Sequence, residues 1–369
     1  MRIVKTIIFL ASFVLCLCFS VNASADQLDL GLDGSNYSLP SDITEELYGN
    51  NITPENVDIS ALDIGNIVNY LWDKLSTYIQ SPLRLFISII AVVLVCSFAG
   101  TVSDTANVTV KKVFNLICIL SGTAIITVNV SEVIAYGEKT LEQGKVFISS
   151  FIPAFAGVIS MSGRVTSATA LNSFIMGGIQ LFMQLASGVI LPFSICIMGI
   201  TLAGTVNTDL KLSGFGESIK KIVIWVLGII MTVFVALLGL QTFITSGADS
   251  VGLKATKFTV SNAVPFIGGA ISDSLSVMLG GVDVIKNNFG VFGVIAGAVI
   301  MLPSVLSALC YKMVLSFAYS ISEMFSIGGL SQVIKGAESV VSVVLALLCC
   351  FLLMTVICVS MMIFLLGGI

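Results

Sequence analysis

Two proline–glycine pairs stand out in an otherwise apolar chain: Pro153 with Gly157, and Pro265 with Gly269. A proline inside an apolar helix removes a backbone donor and frees a carbonyl. Within a bilayer such groups are tolerated only where they line a polar cavity or meet another protein segment. These two turns are therefore the leading candidates for a translocation site. Gln180 and Gln184, four residues apart on one helix face, add polar groups to it and read as interhelical hydrogen-bond donors. Asn129 and Glu132 also lie in apolar sequence. Glu132 reads either as a functional carboxylate at membrane depth or as a side chain near the end of its span that reaches the interface.

Other chemistry is excluded by residue type. The chain has no histidine, which removes histidine-based triads, HExxH zinc sites and imidazole proton relays. All nine cysteines lie in apolar runs without a metal-knuckle spacing, and Cys349 and Cys350 are adjacent, so they read as small apolar residues. Gly290, Gly293 and Gly297 share a helix face and suit close helix packing; lacking GxGxxG, they are no dinucleotide fingerprint. No Walker A sequence occurs, so any ATP hydrolysis must come from another subunit. No enzyme activity, metal or cofactor is expected.

The elements that position these residues are membrane helices. The chain has 369 residues, 56% hydrophobic and 10% charged, with mean hydropathy +1.06. Soluble domains carry about 25% charged residues, so the composition is that of a membrane protein. Apolar runs of about 20 residues or more with at most one charge each, enough to cross a bilayer, occur at 83–102, 113–135, 222–245 and 339–366. Two longer runs, 171–206 and 289–322, contain Pro192 and Pro303 and read as hairpins or broken helices. Segments 146–163 and 258–272 read as spans or re-entrant pieces. The fold class is thus an all-α polytopic membrane protein of about seven to nine segments. Basic loops stay in the cytoplasm, so Lys111 and Lys112 share a side with Lys211, Lys220 and Lys221, which requires an even number of crossings between them.

The amino-terminal region differs from this body. Arg2 and Lys5 precede an apolar run that ends at Ala23-Ser24-Ala25, the pattern of a secretory signal peptide over 1–25, with an uncleaved first helix as the alternative. Residues 26–82 then hold ten acids against Lys74, an acidic extracytoplasmic leader ahead of the membrane domain 83–369. Its carboxylates lack EF-hand spacing, and a solvated leader is the simpler account. Ile64, Val68, Leu71, Leu75 and Tyr78 recur at helical spacing, giving an amphipathic helix for the membrane surface or for a partner.

An offset of 112 residues aligns 145–160 with 257–272 at six identities in sixteen, matching Pro153 to Pro265 and Gly157 to Gly269. Gly178 then falls opposite Gly290, and Pro192 lies one position from Pro303. Two related halves, 145–245 and 257–366, follow as a hypothesis, with shared apolar composition as the competing explanation. Transporters often build their site at the interface of such repeats.

The chain resembles the stage III sporulation protein AE family of endospore-forming bacteria from about residue 80 onward. The residues that carry the likeness are Gly178-Ile-Gln-Leu-Phe, Val189-Ile-Leu-Pro192-Phe, Ile224-Trp-Val-Leu-Gly-Ile-Ile, Leu253-Lys-Ala-Thr-Lys257-Phe and Val264-Pro-Phe-Ile-Gly-Gly-Ala-Ile-Ser-Asp273. The resemblance implies a multi-pass protein of the mother-cell membrane surrounding the forespore. It implies a subunit of a channel or secretion-like complex required after engulfment. The partners it implies are other stage III sporulation A-operon proteins, including a cytoplasmic ATPase, and a forespore-side protein, besides the lipid bilayer; no nucleic acid is expected. It supplies no catalytic residues. The alternative function is a small-solute permease that uses the repeat interface.

Overall fold

The structure, a computed structural model, describes residues 64–103, 108–206, 213–263, 268–325 and 328–367. The expected signal peptide, the leader up to residue 63, and Pro265 lie outside these residues. The described residues all belong to one unit, 33–369. They form helices α1 (Ile64–Ser103), α2 (Val108–Met161), α3 (Val165–Leu185), a π-turn (Ala186–Ile190), α4 (Leu191–Val206), α5 (Ser213–Ala263), α6 (Gly268–Met324) and α7 (Gly328–Gly367). Among the described residues there is no strand, and six helices are long and apolar enough to cross a membrane.

Six is fewer than the seven to nine segments expected, because stretches read as separate form continuous helices. α2 joins 113–135 to 146–163 in one helix of 54 residues, about 80 Å at 1.5 Å per residue. The glycines between those runs look like loop signals but serve close packing. A Cβ at Gly137 would meet Val344 at 2.8 Å, and one at Gly144 would strike Phe351. The run 171–206 is likewise one path through α3, the π-turn and α4 rather than a hairpin. Pro192 lacks an amide hydrogen, and the ladder widens just before it, with the Leu191 amide donating to the Ala186 carbonyl. Pro303 is buried inside an unbroken α6. The amphipathic stretch after residue 64 and the first apolar run also form one helix, α1, with Pro82 inside it.

Side-chain registers fix the helix directions. Gly122, Gly137 and Gly144 of α2 abut Leu330, Val344 and Phe351 of α7 in rising order, so these helices run parallel. Glu217 pairs with Lys335 at 3.5 Å and Lys220 with Glu338 at 3.9 Å, so α5 is parallel to α7 as well. α6 runs the other way, with Thr140 hydrogen-bonded to Ser304 at 2.6 Å and Gly293 beside Phe151. The hairpins α3–α5 and α6–α7 therefore run in the same sense. α2, α5 and α7 all start at one end, which keeps two crossings between Lys112 and Lys220.

α7 is central, contacting α2, α4, α5 and α6, and Val340, Val344, Leu347 and Phe351 are fully enclosed. Phe147, Phe151 and Phe155 of α2 interlock with Phe289 and Phe292 of α6, with ring centroids 5.0 Å apart for Phe151 and Phe289. A disulfide between Cys96 and Cys118 ties α1 to α2, correcting the reading of every cysteine as a plain apolar residue. The two lie at similar distances from the 104–107 connection, so an antiparallel hairpin brings them level. Cys196, Cys310, Cys349, Cys350 and Cys358 are free thiols.

Candidate functional site

The expected break at Pro153 is absent: α2 continues through Pro153 and Gly157 to Met161. The chain turns instead at Gly163, whose φ of 80° is in the left-handed region that glycine enters without steric cost. The amides of Ser162 and Gly163 close the helix end onto the Ile159 and Ser160 carbonyls at 3.1 and 3.0 Å. Gly269 lies in the first turn of α6, and Pro265 lies outside the described residues.

The candidates do share a different feature. Pro153 and Gly157 are exposed, on the same stripe of α2 as Glu138, Lys139, Glu142 and Ser149. Gln180 and Gln184 are exposed on α3, on a stripe with Thr169, Ser173 and Gly177. Spacings of three and four residues keep each set on one helix face. The opposite face of α3 is apolar and buried, through Leu171, Ile175, Ile179 and Phe182. The α2–α3 hairpin thus presents an outer surface on which these polar groups sit among exposed Val146 and Leu181, over an apolar inner one.

Depth makes this surface unusual. Gly144 abuts Phe351, and the Phe182 ring lies 5.6 Å from the Phe351 ring, which places Glu142 and Gln184 level with the middle of α7's uncharged run. Phe174 stacks on Phe234 at 5.8 Å, which puts Ser173 and Gly177 level with the middle of α5. At that depth α5 exposes Val233 and Leu237. One side of the protein is therefore oily and another polar at the same level.

The chemistry of the polar side is specific. Its hydroxyls are mostly satisfied within their own helices: Thr169 donates to the Val165 carbonyl at 2.8 Å and Ser173 to that of Thr169 at 3.0 Å. What the face offers outward is the two glutamine amides and the charges of Glu138, Lys139 and Glu142. Glu142 pairs with Lys145 at 3.4 Å and is 57% exposed. A charged side chain at the bilayer centre costs about 2.5–3.5 kcal/mol on insertion scales. A face with several is accordingly suited to water or to another protein rather than to lipid. The glutamines point away from the bundle, so within this chain they do not bridge helices as the sequence reading had them.

Gly290, Gly293 and Gly297 sit at the buried contact of α6 with α2 and α7. A Cβ at Gly290 would strike Ile363, at Gly293 Phe151, and at Gly297 it would meet Thr355 at 2.9 Å. Among the described residues no group of three or more Asp, Glu, Cys or His gathers to hold a metal ion.

Comparison with known proteins gives two matches. A family described as stage III sporulation protein AE matches residues 50–365. The stage III sporulation protein AE of Bacillus subtilis (strain 168) is 21% identical over 161 residues, which are 44% of this chain and 40% of that relative. The match therefore spans about two fifths of the relative's length. No solved structure matches.

Proposed function

The chain belongs to the stage III sporulation protein AE family, and from that premise we propose that it is a membrane subunit of the complex joining mother cell and forespore. The observation that carries this reading is the polar face of α2 and α3 at the depth of apolar α5 and α7. In a multi-subunit channel that face borders an aqueous path or a neighbouring subunit, while α5 faces lipid. The acidic leader, in the space between the two membranes, meets the forespore-side partner. The ATPase among the sporulation A-operon partners supplies the energy from the mother-cell cytoplasm.

An in-frame deletion in the native host tests the role. The expected result is normal vegetative growth, small or collapsing forespores after engulfment and a silent late forespore reporter. Complementation with Gln180→Leu/Gln184→Leu should restore membrane insertion but not the reporter, whereas Val233→Leu on α5 should restore both. Normal sporulation together with an uptake defect would overturn the channel reading and favour a solute permease.

A further inference from the structure

The start of α5 gathers lysines at the edge of its apolar run. Glu217 holds two of them on one carboxylate: Lys221 of the same helix lies 3.3 Å from one oxygen, and Lys335 of α7 lies 3.5 Å from the other. This trio carries one positive charge in excess. Its surroundings do not cancel that excess. Lys220 reaches Glu338 at 3.9 Å, and Lys312 of α6 interacts with both members of that pair. Glu323 accepts the hydrogen bond of the Tyr319 hydroxyl, and the Tyr319 ring lies 5.5 Å from the Lys335 ammonium. Four ammonium groups of α5, α6 and α7 thus meet three carboxylates.

The trio is built to hold an anion with two oxygens. Lys221 and Lys335 already bridge the two oxygens of a carboxylate, and an ammonium has three donors, so Glu217 exhausts neither. Lys221 is 73% exposed. A phosphodiester also offers two oxygens, accepts charge-assisted hydrogen bonds from lysine, and carries the single negative charge that balances the trio.

The residues beside the lysines identify the rest of the ligand. Trp225 and Gly228 follow Lys221 at four and seven residues, on its face of α5. Trp225 is 69% exposed, and tryptophan favours the headgroup level of a membrane. Gly228 leaves that face open, with nothing within 4 Å of the place a Cβ would take, and exposed Ile229 flanks it. A free phosphate has no use for this apolar track, whereas a lipid chain does.

We propose that the start of α5 binds an anionic phospholipid, its phosphodiester bridging the ammonium groups of Lys221 and Lys335 and an acyl chain running past Trp225 and Gly228. A zwitterionic lipid brings its own ammonium and leaves the excess charge uncompensated, so the site selects for net negative charge. The proposal rests on the reading that α5 faces lipid.

The test is fluorescence quenching of the full-length Trp72→Phe protein, in which Trp225 is the one remaining tryptophan. The vesicles mix phosphatidylcholine with phosphatidylglycerol, and the acyl chains of one lipid or the other are brominated. At equal mole fraction, brominated phosphatidylglycerol should associate at Trp225 at least about threefold more strongly than brominated phosphatidylcholine. Lys221→Gln/Lys335→Gln should erase the preference, and Lys254→Gln, toward the far end of α5, should keep it. If the double variant fails to fold, Lys221→Gln alone serves, with a smaller reduction expected. No quenching by either lipid would show that α5 is covered and would overturn both the proposal and the reading beneath it. Equal quenching by both lipids, a preference unchanged in the lysine variants, or one lost equally in Lys254→Gln would overturn the headgroup site alone.

Discussion

Asp249 closes the start of α3 from the far end of α5: one carboxylate oxygen accepts the Ser167 amide at 2.8 Å and the other the Thr166 amide at 3.1 Å. The first amides of a helix have no partner within it, and its amino-terminal dipole favours a negative charge. Arg164, the residue before α3, makes no side-chain cap, so Asp249 supplies what local sequence does not. Asp249 is buried, and its loss strands two donors. Asp249→Ala should lower stability by about 1–2 kcal/mol, the usual cost of a lost cap. Asp249→Asn, keeping one acceptor, should cost less. Reversible unfolding in detergent reads the difference; equal stability of all three proteins would sink the assignment.

Two glycines give a contrast of opposite sign. Gly293 has no room for a side chain, since a Cβ there runs into the Phe151 ring. Gly157 has nothing within 4 Å of the same point. Gly293→Val should destabilise by about 1–3 kcal/mol through overpacking. Gly157→Ala should be neutral or stabilise by up to about 1 kcal/mol, through helix propensity alone. The same unfolding measurement decides, and a costly Gly157→Ala would show that its exposed face is covered in the working protein.

These glycines also show where sequence is a good guide and where it is not. Uncharged runs such as 222–245 and 339–366 are legible because burial in lipid demands them, and both lie in single helices. Helix ends are harder. Gly137 and Gly144 share the composition of a loop with Glu138 and Glu142 around them, yet their missing side chains admit Val344 and Phe351 from a helix 200 residues later. Pro153 does not end α2, which continues to Met161, while Gly163 turns the chain through a positive φ. The polar stripe was visible at Gln180 and Gln184 as spacing, but its direction depends on which face α5 and α7 cover. No local pattern contains that.

The ion pairs that set α5 parallel to α7 can be exchanged. Glu217 bridges Lys335 at 3.5 Å and Lys221 at 3.3 Å, and Lys335 lies 5.5 Å over the Tyr319 ring. Partly exposed pairs are worth about 0.2–1 kcal/mol each, so reversal should be a modest effect. Glu217→Lys should destabilise by roughly that amount or somewhat more, because it adds a third positive charge beside Lys221 and Lys335. The double variant Glu217→Lys/Lys335→Glu should recover part of the loss. A double-mutant cycle in detergent at low and high salt checks this. No recovery at low salt would mean the pair contributes nothing to registering the two helices.

The surface that separates this protein from an ordinary lipid-embedded bundle can be probed chemically. Polar reagents modify a cysteine only as its thiolate, and thiolate forms in water rather than hydrocarbon. Gln184 and Phe243 are both exposed, on the polar α3 face and the apolar α5 face respectively. With exposed Cys196 replaced by Ser, Gln184→Cys in intact sporulating membranes should react with a charged methanethiosulfonate at least about tenfold faster than Phe243→Cys. Gln180→Cys should follow Gln184→Cys, since the two share a face. Fast reaction at both glutamine positions and none at Phe243→Cys means water borders α3 at membrane depth. Equal protection at all three in membranes, relieved in detergent only at the glutamine positions, means that a protein neighbour covers the face and the aqueous path lies elsewhere. Equal protection in both settings would show α3 facing lipid, and the channel-facing role of the hairpin would fall.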